Sequence, residues 1–182
     1  IVGFYHVSTV GERWPTVVGR QLKMLQSSPL YNAMHQINVG ASGWFADVVS
    51  SLLPTDGSHE KFTFTDHNAR EKYMRLGGAH VAREVPTLQL MYEYCAQPDN
   101  EDHWVWYMHS KGVGHSWPKF KWTQDWTVYM EAFLFEQPHL CMHALLTGSN
   151  ACGVELYHHP YLHYAGNFWW TTCRRVRGLE EP

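Results

Sequence analysis

The 182-residue chain has no Cys-x-x-Cys pair, no apolar run of 18 residues and no excess of basic charge. Each absence removes a class of protein. Its four cysteines, Cys95, Cys141, Cys152 and Cys173, are spaced neither as a zinc ribbon nor as a thioredoxin-type centre, so free buried thiols are the expectation. Without a long apolar run no membrane-spanning helix is expected, and Ile1 to Val10 is too short and lacks the basic flank of a signal peptide. Lys+Arg 14 against Asp+Glu 17 gives a formal charge of -3, which disfavours a nucleic acid polymer as partner but leaves small anions open. Repeats and low-complexity tracts are missing too. The chain starts without Met inside an apolar segment, and it reads as one domain, 1–182, cut from a longer protein. Its compartment is not encoded, with a lean towards the cytoplasm.

What the chain does have is 45% hydrophobic residues, 13 His and 9 Trp. A chain of this size buries roughly 70% of its unfolded surface, so its core needs no disulfide or metal. Histidine titrates near neutrality and ligates metals, whereas Trp offers a flat apolar face with one donor. Together they suit a site that stacks and hydrogen-bonds a sugar or a base.

The patterning alternates strand and helix. Ile1 to Val7 reads as a buried strand, and a helix follows from about Pro15, with Val18, Leu22 and Leu25 on one face. His35 to Val39 and Lys61 to Thr65 read as further strands, the second preceded by a Gly57-Ser58-His59 turn. Val81, Val85, Leu88, Tyr92 and Cys95 share one helical stripe, and His103 to Met108 reads as a central strand covered on both faces. Trp126, Met130 and Phe133 mark another helix, Pro138 opens the next, and Ala151 to Leu156 is a short strand. The order predicts an α/β fold, a mostly parallel central sheet flanked by helices, with ligand at the carboxyl ends of the strands.

That placement rule gathers His6, Ser8 and Thr9, then Asp66, His67 and Asn68, then His109, Ser110 and Lys111, and finally Glu155, His158 and His159 on one edge. Two segments stand out. In Tyr107-Met108-His109-Ser110-Lys111-Gly112 a cation and an imidazole end a strand, and glycine lets backbone N–H groups approach an anion such as a diphosphate. In His163-Tyr164-Ala165-Gly166-Asn167-Phe168-Trp169-Trp170 two indoles and an amide can hold a pyranose. Adjacent residues of a regular strand face opposite sides, which favours exposure of at least one indole.

Both segments resemble motifs of a family of small GT-A-type glycosyltransferases found in bacteria and large DNA viruses. The likeness rests on Tyr-x-His-x-Lys-Gly at Tyr107 to Gly112 and on His-Tyr-x-Gly-Asn-Phe-Trp-Trp at His163 to Trp170. It is supported by Tyr5-His6, Trp14, Gln21-Leu22, Ser28-Pro29-Leu30 and Glu84-x-Pro86-Thr87-Leu88. The resemblance implies a GT-A-like nucleotide-diphospho-sugar transferase fold and transfer of a hexose or deoxyhexose from a UDP-sugar to a carbohydrate acceptor. It implies donor contacts at His6, Ser8, Thr9, Asp66, His109, Lys111 and Gly112, and sugar or acceptor contacts at Asn167, Trp169 and Trp170. Many such enzymes hold Mn or Mg between a D-x-D motif and the diphosphate. Here that strand end carries His109-Ser110-Lys111, so either Asp66, His109 and His163 hold the metal or Lys111 supplies part of its charge.

Bond cleavage leaves negative charge on the diphosphate, so a cation there stabilises the transition state above the ground state. An inverting reaction also needs a proton acceptor, for which Asp125, Glu155 and His163 are candidates, Glu155 leading. Two other readings compete. A noncatalytic carbohydrate-binding module would use the Trp-rich segment alone, and a zinc hydrolase would use the histidines. The hydrolase ranks last because no His-Glu-x-x-His occurs, and the adjacent His158 and His159 could hardly share one ion in a strand.

Overall fold

A computed structural model describes residues 1–54, 61–69 and 83–182. Within them the chain folds as α/β with a mostly parallel central sheet and flanking helices. The strands are β1 (Val2–Ser8), β2 (Gln36–Ser42), β3 (Phe62–Asp66), β4 (Trp104–His109), β5 (Ala151–Gly153) and β8 (Trp169–Thr172), ordered β3-β2-β1-β4-β8-β5. β1 to β4 run parallel, and β8 lies antiparallel between β4 and β5. Leu156–Tyr157 (β6) and His163–Tyr164 (β7) form a separate two-stranded ribbon. The Gly57-Ser58-His59 turn and Val81 lie outside the described residues.

The helices follow from their apolar stripes. In α1 (Trp14–Ser27) Pro15 occupies the first turn, where its missing N–H is harmless, and Val17, Val18, Leu22 and Leu25 are buried. They pack on the face of β1 that carries Tyr5 and Val7, together with Trp106 and Met108 of β4. α3 (Lys119–Glu131) and α4 (Pro138–Leu146) complete this layer through Met130, Cys141 and Leu145. On the other face α2 (Val85–Ala96) and α5 (Cys173–Arg177) cover Val2, Phe4, Val105 and Tyr107. Strand period two thus divides each strand between two cores.

Two expectations are corrected here. The thiols are paired: Cys95 at the end of α2 bonds Cys173 at the start of α5, and Cys141 of α4 bonds Cys152 of β5. Sequence spacing hid both, since partners lie 78 and 11 residues apart and meet only through the sheet. Disulfides persist in oxidising surroundings, which runs against the lean towards the cytoplasm. The second correction is β8, which carries the two indoles of the Trp-rich segment into the sheet. Trp170 is 0% exposed in the α1 layer, and Trp169 packs on the opposite face against Tyr107 at 5.7 Å. A four-residue strand covered on both faces shows no polar alternation to reveal it.

Candidate functional site

The chain passes from β1 to β2 and β3 on one side and returns to β4 on the other, so the strand order reverses between β1 and β4. Carboxyl ends diverge at such a point and leave a crevice. A cavity of about 720 Å³ opens there, lined by His6 and Ser8 from β1 and by His109, Ser110, Lys111 and Gly112 from β4. Helix N-termini join the same edge, because each crossover helix runs antiparallel to the strands. Glu84, the residue before α2, and Lys119, the first residue of α3, therefore line the cavity with Arg83, Trp122 and Trp126.

Hydrogen bonds fix the floor. The Ser8 N–H donates to Ser110 Oγ at 2.8 Å, and that hydroxyl lies 3.3 Å from Ser8 O, which locks the two strand ends together. His6 is buried, with Nδ1 2.9 Å from Thr87 Oγ1. The same hydroxyl lies 2.9 Å from His67 Nε2, so it can donate to one ring and accept from the other. Gly40 makes room for this junction, since a Cβ there would overlap both His67 and Thr87. Burial, reinforced by His67, pushes the His6 imidazole down to about 3, so it stays neutral at pH 7. His109 is likewise held well below the usual imidazole range by burial, then by Lys111 and His6.

From beneath, Gln21 of α1 donates to His109 O at 3.3 Å and to Glu131 Oε1 at 2.8 Å, and accepts from Tyr5 OH at 2.7 Å. Arg20 pairs with the buried Glu131, its Nη2 lying 3.0 Å from Oε1. A buried carboxylate with a guanidinium and an amide around it is satisfied, and the network ties α1 to α3 under the site.

The walls are cationic and aromatic. Burial lowers the Lys111 ammonium, while Glu84 acts in the opposite direction. Lys111 is held by its backbone, whose carbonyl accepts from Gln124 Nε2 at 2.9 Å. Gly112 has φ +77°, a turn that L side chains rarely adopt, and a Cβ there would also strike Thr123. Trp122 and Trp126 stand one turn apart on α3, and Trp122 is 68% exposed.

Glu84 joins the two segments singled out in the sequence. Its Oε2 accepts from Asn167 Nδ2 at 2.5 Å, and its Oε1 lies 3.5 Å from His109 Nε2. Asn167 Oδ1 in turn accepts from Trp169 Nε1 at 2.8 Å, and Phe168 meets the His109 ring edge-on at 5.0 Å. Burial first and the Glu84 charge second hold the Tyr107 phenol well above its usual range. Arg83 and Asn167, which flank and hold Glu84, have φ +52° and +58°. Non-glycine residues in that region cost about 1 kcal/mol or more, which surrounding structure must hold in place.

The expected site residues therefore divide. His6, Ser8, His109, Lys111 and Gly112 line the cavity, and Asn167 reaches it through Glu84. Thr9 does not line it: its hydroxyl donates to Ser42 O at 3.1 Å and accepts from the Phe45 N–H at 3.0 Å, a staple between the ends of β1 and β2. Asp66, on the outer strand β3, accepts from the Asn68 N–H at 2.8 Å and shapes that turn. Glu155, just before β6, is exposed and takes the Tyr157 hydroxyl at 3.2 Å, and His163 of β7 has Nδ1 2.8 Å from Tyr161 O. His158 and His159 are exposed in the loop that joins β6 to β7, and Asp125 pairs with Lys121 at 2.7 Å. Trp170 is core, and Trp169 orients Asn167 instead of offering a free platform.

Metal ligation by Asp66, His109 and His163 does not fit. Of the three only His109 lines the cavity, and no three His, Cys, Asp or Glu side chains are grouped to hold an ion among the described residues. Among the described residues the cavity offers one carboxylate, already engaged by Asn167, with the imidazoles of His6, His109 and His115 and the hydroxyls of Ser8, Ser42, Ser110 and Thr123, among the cations of Arg83, Lys111 and Lys119. Hard divalent ions favour anionic oxygen ligands, of which the described lining supplies one carboxylate among three cations.

Sequence reasoning took strand ends alone, so it passed over Arg83, Glu84, Lys119, Trp122 and Trp126 as site residues. The signal was present, since helices that cross back begin at the same edge. No helix among the described residues is long and apolar enough to span a membrane. No curated protein matches the chain significantly. A family profile described as a domain of unknown function, DUF8361, matches residues 4–182, and the chain belongs to that family.

Proposed function

We propose that the chain is a GT-A-like glycosyltransferase domain that moves a hexose or deoxyhexose from a UDP-sugar to a carbohydrate acceptor. The observation that carries this reading is the convergence of the two segments, through Glu84, on a cationic cavity where the strand order reverses. A volume of about 720 Å³ suits a nucleotide-sized ligand. Lys111, Arg83 and Lys119 present positive charge to a diphosphate, and Gly112 and Gly114 let backbone approach it. As the bond between anomeric carbon and phosphate breaks, charge grows on the departing diphosphate, so these cations act most strongly in the transition state. Trp122 and Trp126, not Trp169 and Trp170, supply the stacking faces.

A carbohydrate-binding module is the weaker reading, because one indole of its Trp pair is core and the other is engaged by Asn167. Calorimetric titration with UDP and UDP-glucose distinguishes the two. The transferase reading expects nucleotide-dependent binding; a folded sample that binds oligosaccharide but neither nucleotide would replace it.

A further inference from the structure

We infer that Glu84 is the proton acceptor of the transfer step, an assignment that rests on the transferase reading. Among the described residues it is the one carboxylate lining the cavity. Its side chain is 31% exposed, and Asn167 holds Oε2. Two residues in left-handed backbone, Arg83 beside it and Asn167 across from it, fix where the carboxylate points. Asn167 is itself clamped by Trp169, so the carboxylate is oriented by a chain of fixed partners. His109 Nε2 lies 3.5 Å from Oε1, so the imidazole borders the carboxylate on that side.

Lys111 and Glu84 line the same cavity, so a cation and a base face the same space. The scheme puts the diphosphate on Lys111 and the anomeric carbon towards Glu84, which lines the same cavity. The acceptor oxygen then forms a bond to that carbon with its own electron pair. The carbon–phosphate oxygen bond breaks, its pair passes to the diphosphate, and the acceptor hydroxyl proton passes to Glu84 Oε1. Charge balances, because the carboxylate becomes neutral as the diphosphate gains one negative charge. Asn167 and Trp169 are positioning residues in this scheme.

The test compares wild type with Glu84→Gln and Glu84→Ala, using UDP binding by calorimetry and UDP release from UDP-glucose, UDP-galactose and UDP-rhamnose with water as acceptor. Glu84→Gln keeps an oxygen for Asn167, so UDP affinity should stay within about threefold while kcat falls roughly 1,000-fold, the scale of a lost general base. Added formate should restore turnover to Glu84→Ala but not to Glu84→Gln. A merely structural role would give no such rescue. Turnover of Glu84→Gln within about fivefold of wild type, or a large loss in Glu155→Gln instead, would overturn the assignment. So would a wild type that binds UDP but releases none from any of the three donors, because a base at the anomeric carbon activates water too. Failure of wild type to bind UDP at all would instead remove the transferase reading.

Discussion

Replacing Lys111 by Met removes the ammonium and keeps the aliphatic stem, and the backbone carbonyl still takes the Gln124 amide. The loss can be sized from the site. A unit charge at roughly 5 Å from a phosphate oxygen, at an effective dielectric near 20, interacts by about 3 kcal/mol. A hydrogen bond to a charged group nets about 1.5–3 kcal/mol. Lys111 is partly exposed and Arg83 and Lys119 remain, so the lower part of that range applies. About 2 kcal/mol corresponds to roughly 30-fold weaker UDP binding. Calorimetry with UDP, UMP and uridine in the same buffer reads it. If Lys111 meets the second phosphate, UMP affinity should fall only a few-fold and uridine affinity not at all. A change below about twofold for UDP, or equal losses for UDP and uridine, would refute the placement of the diphosphate.

Other expectations follow from burial and titration. Trp170→Ala empties a fully buried indole site and should cost about 3–5 kcal/mol of unfolding free energy in urea, whereas Trp122→Ala should leave stability within about 0.5 kcal/mol. Removing the Cys95–Cys173 bond opens a 78-residue loop and should cost about 4.5 kcal/mol, against about 2.8 kcal/mol for the 11-residue loop of Cys141–Cys152. Thermal melts of the two double Ser variants give the order. His6, at about 3 when folded, stays neutral where the unfolded chain takes up a proton below about 6.5. Its contribution is therefore complete above about pH 6.5 and lost as pH falls towards 3, at up to about 1.4 kcal/mol per pH unit. His109 adds in the same direction. Urea titrations at several pH values should show this slope, reduced in His6→Gln; a flat profile between pH 6.5 and 5 would contradict a neutral buried pair.

The parallel frame was legible because buried parallel strands are continuous apolar runs. His103 to Met108 reads as a central strand and is one, and the crossover helices announce themselves by Val18, Leu22 and Leu25 or by Leu88, Tyr92 and Cys95. β8 was illegible for the same physical reason in reverse, since Trp-Trp-Thr-Thr is too short to show a period. At the site, strand ends led to His6, His109 and Lys111, whose side chains follow from register. Register says nothing of how far along the edge a strand lies, and Asp66 sits two strands away from β1 on the outer side of β2. Glu155 and His163 fail differently: a separate ribbon carries His163 and begins just after Glu155, and its pairing is set by tertiary contacts. Glu84 belonged to a quoted motif but was read as a helix start, although a helix that starts at the ligand edge also delivers its first side chains there.

The proposed transfer requires the crevice between β1 and β4 to hold a nucleotide diphosphate. A crystal structure of the chain with UDP tests it most directly. Phosphate oxygens are expected within hydrogen-bonding distance of Lys111 Nζ, with Glu84 facing the vacant sugar position. UDP bound elsewhere on the surface, or a diphosphate that leaves Lys111 without contact, would contradict it.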